Sequence, residues 1–426
     1  MDELAGVLLD LFLIFLFAKL AAEVFERLRQ PVVIGELLVG ILIGPHMLEL
    51  IGVPTGPMID LFGSRHSAQE GLDFVYEVIA ELGLIVLLFY VGLETQFEDL
   101  LRVFRRAGVV AVLGVAVPLA LGFTFIVLLD HSTEEALFVG AAMVATSVGI
   151  TARVLRDLGV LGSPEARIIL GAAVLDDILA LLVLVVVSDL ASEGSIDFTQ
   201  VALVSLQAAA FVGFALLVGT RLMARYSLHL ERLRVGSAPL LLALTLMLGL
   251  SALAAGIGLA GIIGAFLAGI VLAESREQLR LERDVRAIYE FLVPFFFVLT
   301  GARVDPAVFL EPRTLGLALA VTGLGIAGKV VGCGAGGWGL GWRSMGILGS
   351  GMSPRGEIGF VVASIGLSLG AISDDIFAAV VFMSIATTLL APPALQALYR
   401  SRRPRQLEAL MTEASAATAP GRHAAD

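Results

Sequence analysis

The sequence predicts an all-α polytopic membrane protein with about thirteen transmembrane helices, and three observations predict it. First, 58% of the 426 residues are hydrophobic and only 16% are charged, where a soluble domain carries about 25% charged residues. Second, apolar runs long enough to cross about 30 Å of hydrocarbon recur along almost the whole chain. Third, the arginines between those runs concentrate in alternate loops, as they do when cytoplasmic loops retain positive charge. The net charge of −11 carries little information because the charges are sorted by loop, and no nucleic acid is expected as a partner. The single cysteine, Cys333, excludes a disulfide framework or a cysteine-based metal site.

In chain order the spans fall near 6–26, 32–50, 77–95, 107–129, 135–155, 166–188, 200–222, 238–256, 258–274, 287–302, 314–341, 345–371 and 375–399. The chain starts acidic and runs straight into a long apolar segment. Without a basic stretch or a small-residue cleavage site, that segment is expected to be a mature span and not a signal peptide. With the N-terminus outside, the odd-to-even loops hold Arg27, Arg29, Arg102, Arg105, Arg106, Arg153, Arg156 and Arg167. They continue through Arg221–Arg234, Arg276–Arg286 and Arg343 to Arg400–Arg405. The opposite loops hold Arg65, Arg303 and Arg313 and are otherwise acidic or neutral. This asymmetry places the C-terminus in the cytoplasm. The outer loop from about Leu50 to Tyr76 is expected to hold a short interfacial helix. Residues 1–403 then form one transmembrane domain, and 404–426, rich in Ala, Thr and Ser, form a disordered cytoplasmic tail. That tail contains no Gly-x-Gly-x-x-Gly, so no nucleotide-binding domain is expected there.

Candidate chemistry starts in the sixth span, Ile168 to Val187, which carries Asp176 and Asp177 at its middle. The flanking charges, Arg167 and Asp189, are about 15 Å away along the helix, too far for an aspartate to reach solvent. An ionisable group at that depth costs about 2.5–3.5 kcal/mol even on the lenient insertion scale, and such groups mark ion pathways or proton relays. Lys329 is equally central in the eleventh span. The chain has only two lysines, Lys19 and Lys329, against 26 arginines. A lysine can give up its proton where an arginine stays charged. A purely structural ion pair is the alternative. Lys19 is expected to pair with Glu23, four residues on near the cytoplasmic end. Adjacent helical residues point about 100° apart, so one aspartate can meet Lys329 while the other faces a hydrated cavity. A buried carboxylate with oxygen-only surroundings suits a hard monovalent cation. Competition between that cation and a proton for one carboxylate is the minimal mechanism of an antiporter.

Two spans read as broken helices. Thr146, Ser147, Gly149 and Thr151 interrupt the fifth, and Gly349 to Gly359, with Pro354, interrupts the twelfth. Interrupted helices at membrane depth line a binding site when paired in this way, although small residues also serve simple close packing. One break precedes the aspartate helix and the other follows the lysine helix, which fits an inverted repeat of spans 1–6 against 8–13.

These stretches carry a family resemblance. Gln30-Pro-Val-Val-Ile-Gly-Glu36, Gly92-Leu-Glu94, Ala145-Thr-Ser-Val-Gly-Ile-Thr-Ala-Arg153, Leu175-Asp-Asp177, Gly328-Lys329 and Pro354-Arg-Gly-Glu357 resemble the monovalent cation:proton antiporter superfamily. The similarity is strongest to its bacterial NapA-type sodium/proton antiporters and runs to about Leu398. The resemblance implies an NhaA-like antiporter fold, thirteen spans, a homodimer in the bacterial inner membrane and elevator-type transport. The moving core would be spans 4–6 and 11–13, and the remaining spans the dimer scaffold. It implies that Asp177 binds the proton and, transiently, Na⁺ or Li⁺. Asp176 would form a switchable ion pair with Lys329, and Thr146 and Ser147 would flank the site. The Asp-Asp form implies electrogenic exchange. The chain would be a transporter and not an enzyme, with no cofactor beyond its cargo ions.

Arg153 and Glu357 follow the two breaks and are secondary candidates for a bridge. Glu36, Glu94 and Glu290 lie near span ends, where solvation is easy and a structural role suffices. Phe295-Phe-Phe297 reads as packing or dimer surface. Three other functions stay open: a potassium/proton exchanger of the same fold, a sodium-coupled solute symporter, and a channel or sensor.

Overall fold

The computed structural model describes residues 3–28, 30–52, 58–61, 64–193, 197–219, 221, 238–273, 281–304 and 312–400. The expected disordered tail at 404–426 lies outside the described residues. Apolar composition produces helices through most of the described residues. They are α1 (Glu3–Arg27), α2 (Val32–Ile43), α3 (Ala68–Leu93), α4 (Phe97–Leu128), α5 (Thr133–Ala142), α6 (Val148–Asp157) and α7 (Pro164–Glu193). Next come α8 (Phe198–Phe214), which runs on into a π-helical turn, α9 (Ala238–Gly256), α10 (Gly261–Ala273) and α11 (Leu281–Ala302). The last four are α12 (Pro312–Gly336), α13 (Trp342–Gly351), α14 (Glu357–Ser368) and α15 (Asp374–Arg400). Eight of these are long and apolar enough to cross a membrane, and α2, α8 and α10 are shorter apolar helices.

The two interrupted spans are helix pairs. The fifth divides into α5 and α6, and the twelfth into α13 and α14. Ser132 caps α5 by accepting from the Glu135 amide at 3.1 Å. Pro354 has no N–H to continue α13, and it restricts the residue before it to extended backbone. Each broken pair lies between a long preceding helix (α4 or α12) and a long following one (α7 or α15), so the two halves repeat one order of elements.

One expectation is corrected in the outer loop. Where a short interfacial helix was expected, Met58–Leu61 (β1) and Ser64–Ser67 (β2) pair as an antiparallel hairpin, with Met58 opposite Ser67. The segment is short and punctuated by Pro54, Gly56, Pro57 and Gly63, which disfavour a helical nucleus.

Helices α4 and α12 pack against each other through glycines. Gly328, Gly332 and Gly336 recur every fourth residue along one face of α12. A Cβ at Gly332 would run into the Leu113 carbonyl, and one at Gly336 would sit 2.7 Å from Val110. Small residues in this spacing let backbones approach closely in a bilayer. Across the gap, Gly114 of α4 leaves room for Cys333 at 2.5 Å from its missing Cβ. The close approach draws Lys329 into the interior. Helices α7, α13 and α15 pack around the same pair, while α2, α3, α10 and α11 form a second group with α1 and α9 at its margin. Phe295, Phe296 and Phe297 are buried, and Phe295 stacks on Phe15 and meets Phe291 edge-on, so this run is packing.

Candidate ion-binding site

The Lys329 ammonium donates to both oxygens of Asp176, at 2.9 Å to Oδ1 and 3.2 Å to Oδ2. Both side chains are fully buried. The pair joins α12 to α7 beneath α4, where a Cβ at Gly114 would stand 3.6 Å from Nζ and 3.9 Å from Oδ1. A side chain at that position would crowd the pair. Isolated charges in such surroundings would be prohibitively costly, so each offsets the desolvation of the other.

Asp177 points elsewhere, as the 100° step between neighbours requires. It lines a cavity with Leu88 of α3, Val148 of α6, Leu170 and Val174 of α7, and Ile262, Ile263 and Phe266 of α10. The carboxylate is therefore the polar member of an otherwise apolar lining drawn from both helix groups. Val148 is the first residue of α6, so the amino end of that half-helix faces the same space, and its partial positive charge favours a carboxylate there.

The two breaks cross and hold each other. The Ser147 amide donates to the Pro354 carbonyl at 2.8 Å. Thr146 Oγ1 donates to the Met352 carbonyl at 3.1 Å, and Thr151 Oγ1 to that of Gly351. The unwound backbone thus finds partners inside the protein, as membrane depth demands. Gly356 is needed at the contact, because a Cβ there would fall 2.8 Å from Ser147 Oγ. Gly349 of α13 abuts Val330, next to Lys329, and Gly351 abuts Ile169, two turns before Asp176 on α7. The structure therefore brings Asp176, Lys329, Asp177, Thr146 and Ser147 to one region around the crossing.

Arg153 is buried beside two carboxylates, with Nε donating to Asp157 at 2.8 Å and Nη2 lying 3.7 Å from Glu36. The side chain of Glu357 lies outside the described residues, so the expected Arg153–Glu357 bridge does too. Glu36 is 1% exposed and not easily solvated as its place in the sequence suggested, because α2 is only 12 residues long and is covered by α6 and α11. Lys19 does not take Glu23. That carboxylate bonds Arg27 at 2.6 Å, also four residues away, and Lys19 donates to the Glu290 carbonyl at 3.0 Å.

One residue of the crossing carried no assigned role in the sequence. Arg355 is fully buried. It donates to the carbonyls of Ser353 at 2.6 Å, Met143 at 2.7 Å and Gly325 at 3.0 Å. Met143 terminates α5, and Ser353 follows the end of α13. The guanidinium therefore meets the partially negative carboxyl ends of both half-helices at once. The signal available in the sequence was an arginine set between Pro354 and Gly356 at membrane depth. Its carbonyl partners come from distant segments and could not be read there.

The model of the transmembrane sodium/hydrogen exchanger family matches residues 12–400. The chain belongs to this family. The exchanger is 38% identical over 421 residues to the high-affinity Na⁺/H⁺ antiporter NhaS3 of Synechocystis, covering 94% of the chain and 91% of that relative. It is 33% identical to the Na⁺/H⁺-K⁺ antiporter GerN of Bacillus cereus, covering 90% of the chain and 94% of the relative. The solved sodium proton antiporter MjNhaP1 of Methanocaldococcus jannaschii superposes with a TM-score of 0.64 at 18% identity, covering 93% of the exchanger and all of that chain. That likeness establishes a shared fold.

Proposed function

We propose that this exchanger is a secondary-active antiporter that trades cytoplasmic Na⁺ or Li⁺ for external protons across a bacterial cell membrane. The observation that carries the reading is the fully buried Lys329–Asp176 pair beside Asp177 at the crossing of two broken helices. Facing a cavity, the Asp177 carboxylate can take up either a proton or a small hard cation. The two compete for one site, so binding one releases the other. A cation that also draws on Asp176 takes the lysine's partner away. Lys329 can then give up its own proton, as an arginine could not, which makes exchange electrogenic. Thr146 and Ser147 flank the site with hydroxyl oxygens.

Alternating access comes from a core of α4–α7 and α12–α15 moving against the remaining helices, which also form the homodimer scaffold. The thirteen crossings comprise the eleven unbroken spans and the two broken pairs, with the N-terminus outside and the C-terminus in the cytoplasm. The name of GerN favours a second reading, in which K⁺ shares the site.

Purified protein in liposomes loaded with a pH dye tests both. Na⁺ and Li⁺ are expected to drive proton movement that is lost in Asp177→Asn. A response to K⁺ establishes the second reading, and no proton movement with any cation in folded protein refutes both.

A further inference from the structure

The carboxyl end of α6 carries Arg153 and Arg156, three residues apart and so about 4.5 Å along the helix. Both face one aromatic ring. The guanidinium of Arg156 lies 4.0 Å from the centroid of Tyr289, and that of Arg153 lies 5.4 Å from it. Tyr90 backs the same ring at 5.1 Å and holds Arg156 at 4.8 Å. Asp157 spans the two arginines at 2.8 and 3.7 Å, and Glu36 faces Arg153 at 3.7 Å. The arginines and Asp157 belong to α6, whereas Glu36, Tyr90 and Tyr289 belong to α2, α3 and α11. The cluster therefore spans the boundary at which the two helix groups would slide.

We propose that Tyr289 is a positioning residue for transport, the fixed ring of a one-turn ratchet that passes from Arg156 to Arg153 as α6 moves toward the cytoplasm. The inference rests on the moving-core reading above. Tyr289 Oη and Glu36 Oε2 are buried without hydrogen-bond partners among the described residues. The ring is thus held through its faces, and a cation–π contact tolerates sliding in a way that a directional hydrogen bond does not. On the sidedness proposed above, the buried Glu36–Arg153 contact at 3.7 Å lies toward the cytoplasmic end of α6. A step of one turn carries Arg153 from its present 5.4 Å to the close position over the ring that Arg156 holds at 4.0 Å, and moves Arg156 and Asp157 toward cytoplasmic water. Glu36 then faces the opened, hydrated passage and needs no cation. Interfaces of packed helices move by such discrete steps because their packing is bistable.

The ring matters most in transit, when neither arginine has its end-state partner. Tyr289→Leu is expected to lower turnover about tenfold with the apparent Na⁺ KM within twofold of the parent. Tyr289→Phe keeps the ring face and restores turnover. Two cysteine pairs in a Cys333→Ala background read the step directly, using a short thiol–thiol cross-linker. Arg156→Cys/Tyr289→Cys and Arg153→Cys/Tyr289→Cys are both expected to link, in proportions that shift between low pH and high Na⁺. Because both arginines already face the ring, proportions that stay the same at low pH and high Na⁺ overturn the ratchet, as does a Tyr289→Phe variant as slow as Tyr289→Leu. A parent protein that moves no protons overturns the antiport reading instead, and the cross-links still decide the step.

Discussion

Removing one partner of the Lys329–Asp176 pair is the sharpest perturbation of the site. Lys329→Met keeps the length of the stem and deletes the ammonium, leaving a carboxylate with 0% exposure stripped of donors at 2.9 and 3.2 Å. Breaking a buried pair from one side costs about 3–5 kcal/mol, because the remaining charge keeps its desolvation penalty and loses what offset it. Asp176→Leu falls in the same range by the same argument. The double variant Asp176→Leu/Lys329→Met removes both charges and fills the space with apolar atoms, which is often neutral or stabilising. The two substitutions are therefore strongly non-additive: the single costs sum to about 6–10 kcal/mol and the double variant recovers nearly all of it. Thermal unfolding of the four proteins in one detergent, lipid and salt condition measures this. The single variants are expected to melt roughly 5–10 °C lower, and the double variant within a few degrees of the parent. A double variant no more stable than the worse single, or Lys329→Met at the parental midpoint, refutes the claim that each charge is held by the other.

Further predictions concern the crossing and the helix packing. Arg355→Met leaves three buried carbonyls without their donor and exposes the ends of α5 and α13 to each other. It is expected to cost about 3 kcal/mol or more, with Arg355→Lys recovering only part because an ammonium lacks the planar fork. Thermal unfolding and proteoliposome transport read both. Gly332→Val pushes a branched side chain into the Leu113 backbone of α4 and is expected to destabilise by about 1–3 kcal/mol. Gly108→Ala on α4 meets no atom within 4 Å and is expected to be neutral or to stabilise by up to about 1 kcal/mol. Equal melting temperatures for these two glycine variants would refute the close-packing account.

Much of the crossing was legible in the residues because its signals are local. Thr146, Ser147, Pro354 and the surrounding glycines weaken a helix where they cluster, so both interruptions could be placed before any contact was known. Asp176, Asp177 and Lys329 stood out because charge at the centre of an apolar run has no local remedy. The partners of Arg355 were not legible, since its acceptors Met143 and Gly325 lie 212 and 30 residues away. Glu36 looked solvated because its distance from a span end was counted along the chain, whereas its burial is set by neighbouring α6 and α11.

The sequence by itself determined the class of the protein, the approximate helices, the positions of the breaks and the identity of the buried charges. Each follows from the hydrophobic period, from backbone breakers, or from the cost of a charge in hydrocarbon, all properties of a residue and its near neighbours. The residues alone left open which aspartate meets Lys329; the family resemblance implied Asp176, and the tertiary structure places it there. Only the tertiary structure decided that Asp177 turns to a cavity shared with α3 and α10, and that Arg355 joins two half-helix ends. The physical reason is that glycine faces such as Gly328, Gly332 and Gly336 fix how closely and in what rotation helices approach. That rotation chooses which buried charges can reach one another.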